Sequence, residues 1–225
     1  MPKVSVIITT IGRETLQKAI EAVEKQTYKD YELIVIDGRK DKNGAKSLNI
    51  GLSRAKGEYI AILDDDDEWV SKDKLEKQVR FLENNKDYIA VGCETEGCKV
   101  PGKLSLEGMP FAHSSIIFRN NGILYDERFK RGKDLDIMIR LSKVGKIGII
   151  RDCFIKYTIR KGNPNDLRKK ITDCSWHRKV IWKHRKDYPW VAVYWRVLKR
   201  QIRLLYYEQI KNKIKNIIVN SKLPR

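Results

Sequence analysis

Short apolar runs alternate with helical spacings along the first half of this chain. Residues 4–9, Val4-Ser5-Val6-Ile7-Ile8-Thr9, form a β-branched run that reads as a first strand. Residues 15–26 follow, with Leu16, Ala19, Ile20 and Val23 at helical spacing. A second strand is predicted over 32–37, a helix over 45–55 with Leu48 and Leu52 on one side, and a third strand over 58–63. Residues 73–84 are amphipathic, with Leu75, Val79 and Leu82 on one face. Near-continuous apolar strands alternating with helices predict a parallel sheet covered on both faces. Further on, 88–92 reads as a fourth strand and 113–119 as a fifth, with Gly and Pro punctuating a loop or short hairpin between them. Residues 134–144 return to helical spacing through Leu135, Ile139 and Leu141. After Ile150 the chain reads as basic, aromatic and mostly helical, with Pro189 separating two long helices.

Composition divides this pattern in two. The net charge of +18 is uneven: up to Ile150, 26 Lys and Arg oppose 24 Asp and Glu, and beyond it 21 oppose 5. The excess charge therefore sits in the last third, which implies that the two parts meet different partners. Domains are expected over 1–160, an α/β domain, and 161–225, a basic, aromatic-rich helical extension. No apolar run approaches the roughly 18 residues that cross a bilayer. The chain enters a strand directly after Met1-Pro2-Lys3, so no signal peptide is read and a cytoplasmic location is expected. Cys93, Cys98, Cys153 and Cys174 lack zinc-ligand spacing. They read as a reduced cytosolic set, with a structural disulfide as the alternative.

The chemistry concentrates at one junction. Asp64-Asp65-Asp66-Asp67 follows directly on the apolar run Tyr59-Ile60-Ala61-Ile62-Leu63. Packed like charges at the end of a buried strand repel, and desolvation raises the cost. A solvated acidic turn is the bland reading; a bound hard cation such as Mg²⁺ or Mn²⁺ is the functional one. Position favours the second. In open α/β sheets ligands bind beyond the carboxyl ends of the strands. If the strands are parallel, Thr9-Thr10, Asp37-Gly38 and Asp64 gather at one rim. The chain has neither a P-loop nor a Gly-x-Gly-x-x-Gly fingerprint. A carboxylate-held cation bridging a diphosphate replaces those cradles, and Asp37 is placed to accept hydrogen bonds from a base or ribose. The expected ligand is a nucleotide whose diphosphate becomes the leaving group.

These segments resemble family-2 glycosyltransferases of the GT-A fold. The resemblance is carried by residues 4–10, 32–37 and 57–69, by Asn49-Ile50-Gly51, by Asp126-Glu127-Arg128-Phe129 and by Lys133-Asp134-Leu135-Asp136. It covers roughly residues 3 to 160, and the order and spacing of the segments carry it more than any one of them. It implies a Rossmann-like, mostly parallel sheet flanked by helices, with the basic helical extension beyond. It also implies transfer of a sugar from a nucleotide-diphospho-sugar to a glycan or lipid-linked acceptor, with inversion. The donor would be a UDP-sugar first, then a GDP- or dTDP-sugar. By the same resemblance Asp64 and Asp66 are the metal and ribose-phosphate aspartates, with Asp65 in reserve. Thr9, Thr10, Arg13, Asp37, Lys46 and Asn49 would contact the nucleotide-sugar, and Asp134 would be the general base. An N-cap role is the structural alternative for Asp134.

Two departures stand out. Gly38-Arg39-Lys40 replaces the family's usual Asp-Gly-Ser continuation after Asp37, and Lys133 replaces its Glu before the base. A cation beside Asp134 either weakens it as a base or grips an acidic acceptor. His113-Ser114-Ser115, just before a strand, reads as part of the acceptor side, with a structural His113 as the alternative, and Trp69 reads as packing or as a sugar-stacking platform. In the tail, Trp176, Trp182, Trp190 and Trp195 are interleaved with Lys and Arg, and apolar positions from Val197 to Ile218 alternate with basic ones. That pattern suits an anionic membrane surface first, packing or homodimerisation second, and nucleic acid least. Two other functions stay open: a sugar nucleotidyltransferase, and a non-catalytic basic nucleic-acid-binding protein.

Overall fold

The computed structural model describes residues 1–41, 43–95, 111–156 and 167–187. The chain divides into two units, Met1–Asp166 and Leu167–Arg225. In the first, the order is β1 (Val4–Thr10), α1 (Leu16–Glu24), β2 (Tyr31–Asp37), α2 (Gly44–Arg54), β3 (Tyr59–Asp64), β4 (Glu68–Trp69), α3 (Lys74–Asn84), β5 (Tyr88–Thr95), a 3₁₀ turn (His113–Ser115), β6 (Ile117–Arg119), α4 (Lys133–Ser142) and β7 (Lys146–Lys156). One sheet has the order β2-β1-β3-β6-β5-β7-β4.

The parallel half matches the alternating pattern. β1 pairs in parallel with β2 and β3, so Thr10 lies opposite Asp37 and Thr9 opposite Asp64. The three strand ends therefore form one rim. The far half is mixed: β6 runs antiparallel to both β3 and β5, β5 and β7 are parallel, and β4 runs antiparallel to β7.

Two buried clusters cover the two sheet faces. Val4, Val6 and Ile8 of β1 join Tyr59, Ala61 and Leu63 of β3, packed with Ala19 and Val23 of α1 and Leu75, Val79 and Leu82 of α3. Ile7, Ile60 and Ile62 point the other way, into Ala45 and Leu48 of α2 and Ile137, Met138 and Leu141 of α4. The two-residue period of the strands produces this division, and each fully buried aliphatic side chain contributes about 1.5–3 kcal/mol.

Three expectations change. Residues 113–119 are not one strand, because Ser115 N–H and Oγ–H both bond back to the Ala112 carbonyl, at 3.0 and 2.8 Å, and wind a 3₁₀ turn before β6. The strand β7 continues past Ile150, where the sequence pattern places the start of a helical region. Its register slips between Cys93 and Glu94 of β5, so residues 151–153 form a bulge whose Arg151-Asp152 interrupts the apolar run. The two-residue β4 is too short to show a pattern.

The second unit is described through α5 (Leu167–Lys183) and a 3₁₀ turn, Arg185–Asp187. Among the described residues no helix is long and apolar enough to cross a membrane. Pro189, Trp190, Trp195 and the helix expected over 197–218 lie outside the described residues.

The Asn-x-Gly element shows how closely α2 sits on the sheet. A Cβ at Gly51 would come within 2.5 Å of Ile7 Cγ2. Gly51→Ala should destabilise the protein by about 1–3 kcal/mol net of alanine's better helix propensity. Thermal denaturation should show Tm falling by roughly 3–10 °C; an unchanged Tm would mean α2 can lift without loss.

Candidate active site

The acidic turn is held by protein groups at alternate positions. Asp65 is fully buried. It accepts the Thr10 hydroxyl at 2.6 Å and the Ile11 N–H at 3.3 Å, and the Arg13 guanidinium is bonded to its other oxygen. Asp67 is also buried and accepts the Ser114 hydroxyl, while its own N–H closes a turn on the Asp64 carbonyl at 3.1 Å. Asp64 and Asp66 alternate with these and are only half-buried. Arg13 reaches Asp66 as well, at 3.6 Å. The run is thus two anchors and two carboxylates facing the rim.

The 3₁₀ turn pins this loop from behind. The Asp64 N–H donates to Ser114 Oγ at 3.2 Å, and the Trp69 indole N–H donates to the Ser114 carbonyl at 2.8 Å. Trp69 is buried, so it packs and presents no stacking face to solvent. One residue earlier, His113 Nε2 lies 2.8 Å from the Tyr125 hydroxyl and 3.7 Å from Asp134 Oδ1. Burial raises the Tyr125 pKa well above its ordinary value, and both Asp134 and Asp64 push it further up. The two carboxylates therefore share one electrostatic neighbourhood across His113 and Tyr125. Among the described residues His113 Nδ1 is buried without a hydrogen-bond partner.

Asp134 stands in the first turn of α4, where the helix dipole favours an anion. It is not the N-cap: Gly132 holds that position, in a left-handed conformation with φ 77°. The Lys133 ammonium donates to Asp134 Oδ1 at 2.5 Å. Burial pushes the Asp134 carboxyl up, but His113 and Lys133 outweigh it and bring its pKa down to about 2. Burial lowers the His113 pKa in turn, so the imidazole carries charge only in acid, where it acts on Asp134 together with the Lys133 ammonium.

The other predicted residues divide. Thr9 is half-buried on the rim beside Asp64. Asp37 is exposed at the end of β2 and is gripped by the Arg39 backbone N–H at 3.0 Å and guanidinium at 2.5–2.9 Å, which lowers its pKa to about 2. Lys46 is exposed and pairs with Asp41 at 2.7 Å. Asn49 is engaged by the protein itself. Its amide donates to the Tyr125 carbonyl at 3.0 Å and to Glu127 Oε1 at 2.9 Å, and accepts the Tyr125 N–H at 2.7 Å. It ties the segment carrying Tyr125 to α2. The structure adds Tyr125 to the site and gives Ser114 the part of holding the acidic turn. Ser114 belongs to the triplet that follows His113 into β6, but no local signal marks Tyr125.

The donor set fits a hard divalent cation. Asp64 and Asp66 offer carboxylate oxygens at one turn, and among the described residues no group of three or more His, Cys, Asp or Glu forms a closed cage. Magnesium sites of this kind take one or two carboxylates and complete the shell with phosphate and water.

An α/β sheet with this rim and acidic turn defines a GT-A-type glycosyltransferase fold. The sequence model of Glycosyl transferase family 2 matches residues 38–154. EpsE of Bacillus subtilis, a protein named as a glycosyltransferase, is 31% identical over 191 residues, covering 64% of this chain and 68% of that protein. An uncharacterised glycosyltransferase of Methanocaldococcus jannaschii is 28% identical over 247 residues, covering 87% and 85%. Among solved structures, the mannosyltransferase PcManGT of Pyrobaculum calidifontis, in complex with GDP-Man and Mn²⁺, superposes with TM-score 0.66 at 16% identity. That match covers 83% of this chain and 65% of PcManGT. TarS of S. aureus in complex with UDP-GlcNAc gives TM-score 0.56 at 19% identity, covering 72% and 60%. The chain thus spans less than two thirds of these solved chains. The chain belongs to glycosyl transferase family 2.

The Lys133–Asp134 pair makes a pH prediction. A carboxyl with a pKa of about 2 stays ionised above roughly pH 3, so a base at this position is retained far into acid. Lys133→Gln removes the ammonium and raises that pKa, so activity should be lost at higher pH, the acid limb moving up by about one unit. The pH dependence of donor turnover measures this; an acid limb that does not move would rule out Lys133 as its cause.

Proposed function

We propose that this glycosyltransferase moves a hexose from a nucleotide-diphospho-sugar to an acceptor hydroxyl by a single inverting displacement. The observation that carries the proposal is the register of β1 with β2 and β3. It puts Thr9 opposite Asp64 and Thr10 opposite Asp37, so the three strand ends meet at one rim, with Asp66 on the same turn as Asp64. Asp37 and Arg39 stand where a base and ribose would lie. Asp64 and Asp66 would hold a Mg²⁺ or Mn²⁺ ion, which when bound neutralises the diphosphate as it leaves. Thr10 and Arg13 act through Asp65, keeping the loop after β1 against the acidic turn.

Asp134 takes the proton from the acceptor hydroxyl, whose oxygen then attacks the anomeric carbon from the face opposite the nucleotide. Tyr125 and His113 brace Asp134 from one side, and Lys133 holds it ionised from the other. UDP is the base-bearing group we favour, with GDP and dTDP as alternatives. The ligands of TarS and PcManGT, UDP-GlcNAc and GDP-Man, include both of the first two. A glycan or lipid-linked acceptor fits a protein with a basic second unit.

Donor binding and chemistry separate by mutation. In thermal-shift titrations with UDP- and GDP-sugars, a matching donor with Mn²⁺ should stabilise the protein by about 2.7 kcal/mol at a hundredfold excess over Kd. Asp66→Ala should lose that stabilisation and transfer together. Asp134→Asn should keep it while transfer falls about 10²–10⁴-fold. Full transfer by Asp66→Ala with all metal chelated would sink the mechanism.

A membrane-facing role for the second unit rests on α5. Trp182 is 68% exposed, and Arg185 and Lys179 lie over the Trp182 and Trp176 rings at 4.4 and 4.3 Å. Exposed tryptophan ringed by cations suits an anionic headgroup layer. The protein should co-sediment with phosphatidylglycerol vesicles at low salt and be released at high salt, with Trp182→Ala weakening capture several-fold. Absence of binding at low salt would remove this role and leave packing or dimerisation for the basic extension.

A further inference from the structure

Behind the acidic turn lies a second group of reactive side chains that glycosyl transfer does not use. Cys93 of β5 and Cys153 of β7 are both fully buried, and their sulfurs are 2.9 Å apart. The bulge at residues 151–153 creates this contact: it inserts residues into β7 opposite the Cys93–Glu94 step of β5.

Lys74 accompanies the pair, and its side chain is also fully buried. Its ammonium donates to Gln78 Oε1 at 2.7 Å and sits 3.8 Å above the Trp69 ring. Among the described residues no carboxylate lies within ion-pair distance of it. Burial lowers its pKa, and the two thiols oppose that shift. Gln78 bridges the set, donating to Cys93 Sγ at 3.5 Å as well as to the Val91 and Ser115 carbonyls. A buried ammonium without an anion is costly, and a thiolate beside it offsets that cost. The hydrogen bond shared with Cys93, with Lys74 adding to it, draws the Cys153 pKa down, whereas burial drives Cys93 up. One sulfur is thus prepared as a nucleophile and the other kept as a neutral thiol beside it.

We infer that Cys93 and Cys153 form a peroxide-reactive dithiol that closes to a disulfide between β5 and β7, with Lys74 holding the thiolate. The oxidant is a hydroperoxide, small enough to enter by local opening. The Cys153 thiolate attacks the peroxide oxygen, the O–O bond breaks, and Cys153 becomes a sulfenic acid as the hydroxide leaves with a proton as water. The Cys93 sulfur then attacks the Cys153 sulfur, the S–O bond breaks, and a second water leaves with the Cys93 proton. Two thiols and one hydrogen peroxide become one disulfide and two waters. The closed bond fastens β7 to β5 where β7 also pairs with Trp69, two residues beyond the Asp67 anchor.

The test uses the full chain, reduced and then exposed to hydrogen peroxide in its folded state. Remaining thiols are alkylated under denaturing conditions, and the peptides are mapped without reduction. The expected product is a Cys93–Cys153 cross-linked peptide, about 2 Da lighter than its two thiol halves, with Cys98 and Cys174 alkylated. Lys74→Met should slow closure by at least about tenfold, and Cys93→Ala should leave a sulfenic acid on Cys153 that a dione probe captures. The oxidised wild type should melt at least about 4 °C above the reduced form. Full alkylation of Cys93 and Cys153 after peroxide treatment, or closure equally fast in a folded Lys74→Met protein, would overturn the inference. If Lys74→Met fails to fold, the decision rests on the cross-link and on sulfenic-acid capture in Cys93→Ala. None of these readouts depends on sugar transfer.

Discussion

The sheet can end in four consecutive carboxylates because the protein itself supplies hydrogen-bond partners to the two it buries, Asp65 and Asp67. Unpaired, buried Asp65 and Asp67 would each cost several kcal/mol of desolvation, and their mutual repulsion would add to it. Arg13 and Thr10 satisfy one, Ser114 the other. Those partners come from the loop after β1 and from the turn before β6, which are far apart in sequence. Closing the acidic turn therefore draws both flanks of the rim into place. Asp64 and Asp66 alternate with these anchors and stay partly accessible at the rim, Asp66 within 3.6 Å of Arg13.

The same construction links the turn to Asp134. Ser114 holds the acidic run while His113, its neighbour, meets Tyr125 and Asp134. Asn49 then holds the Tyr125 backbone onto α2. A short 3₁₀ turn thereby sets the spacing between the half that would hold a nucleotide and the half that would take a proton. Burial lowers the His113 pKa, so the imidazole gains its charge only in acid. There His113, with Lys133 (the departure from the family pattern) beside it, holds the carboxylate in its ionised form at the expense of basicity.

The far half of the sheet is less legible. Its strands are short or bulged, so their side chains do not alternate cleanly. Arg151-Asp152 looks like the end of a strand and is a bulge within one. The residues of that bulge carry Cys153 to Cys93, and they lie outside every segment that marks the glycosyltransferase pattern. Asn49 misleads in the opposite way. Its motif draws attention to the nucleotide, and in the fold both its amide N–H groups and its carbonyl also hold two segments of the chain together.

Near-continuous apolar strands alternating with helical spacings determined the parallel half, its two covered faces and the gathering of Thr9, Asp37 and Asp64 at one edge. Those follow from local periodicity and the parallel pairing it demands. Tertiary structure decided which aspartates became anchors and which face the rim, because that depends on Arg13 and Ser114 arriving from distant segments. It also decided that His113 stands between Tyr125 and Asp134, and that Gln78 joins a buried Lys74 to a pair of buried thiols. No local pattern encodes such meetings, since each joins side chains whose separation along the chain says nothing about their separation in space.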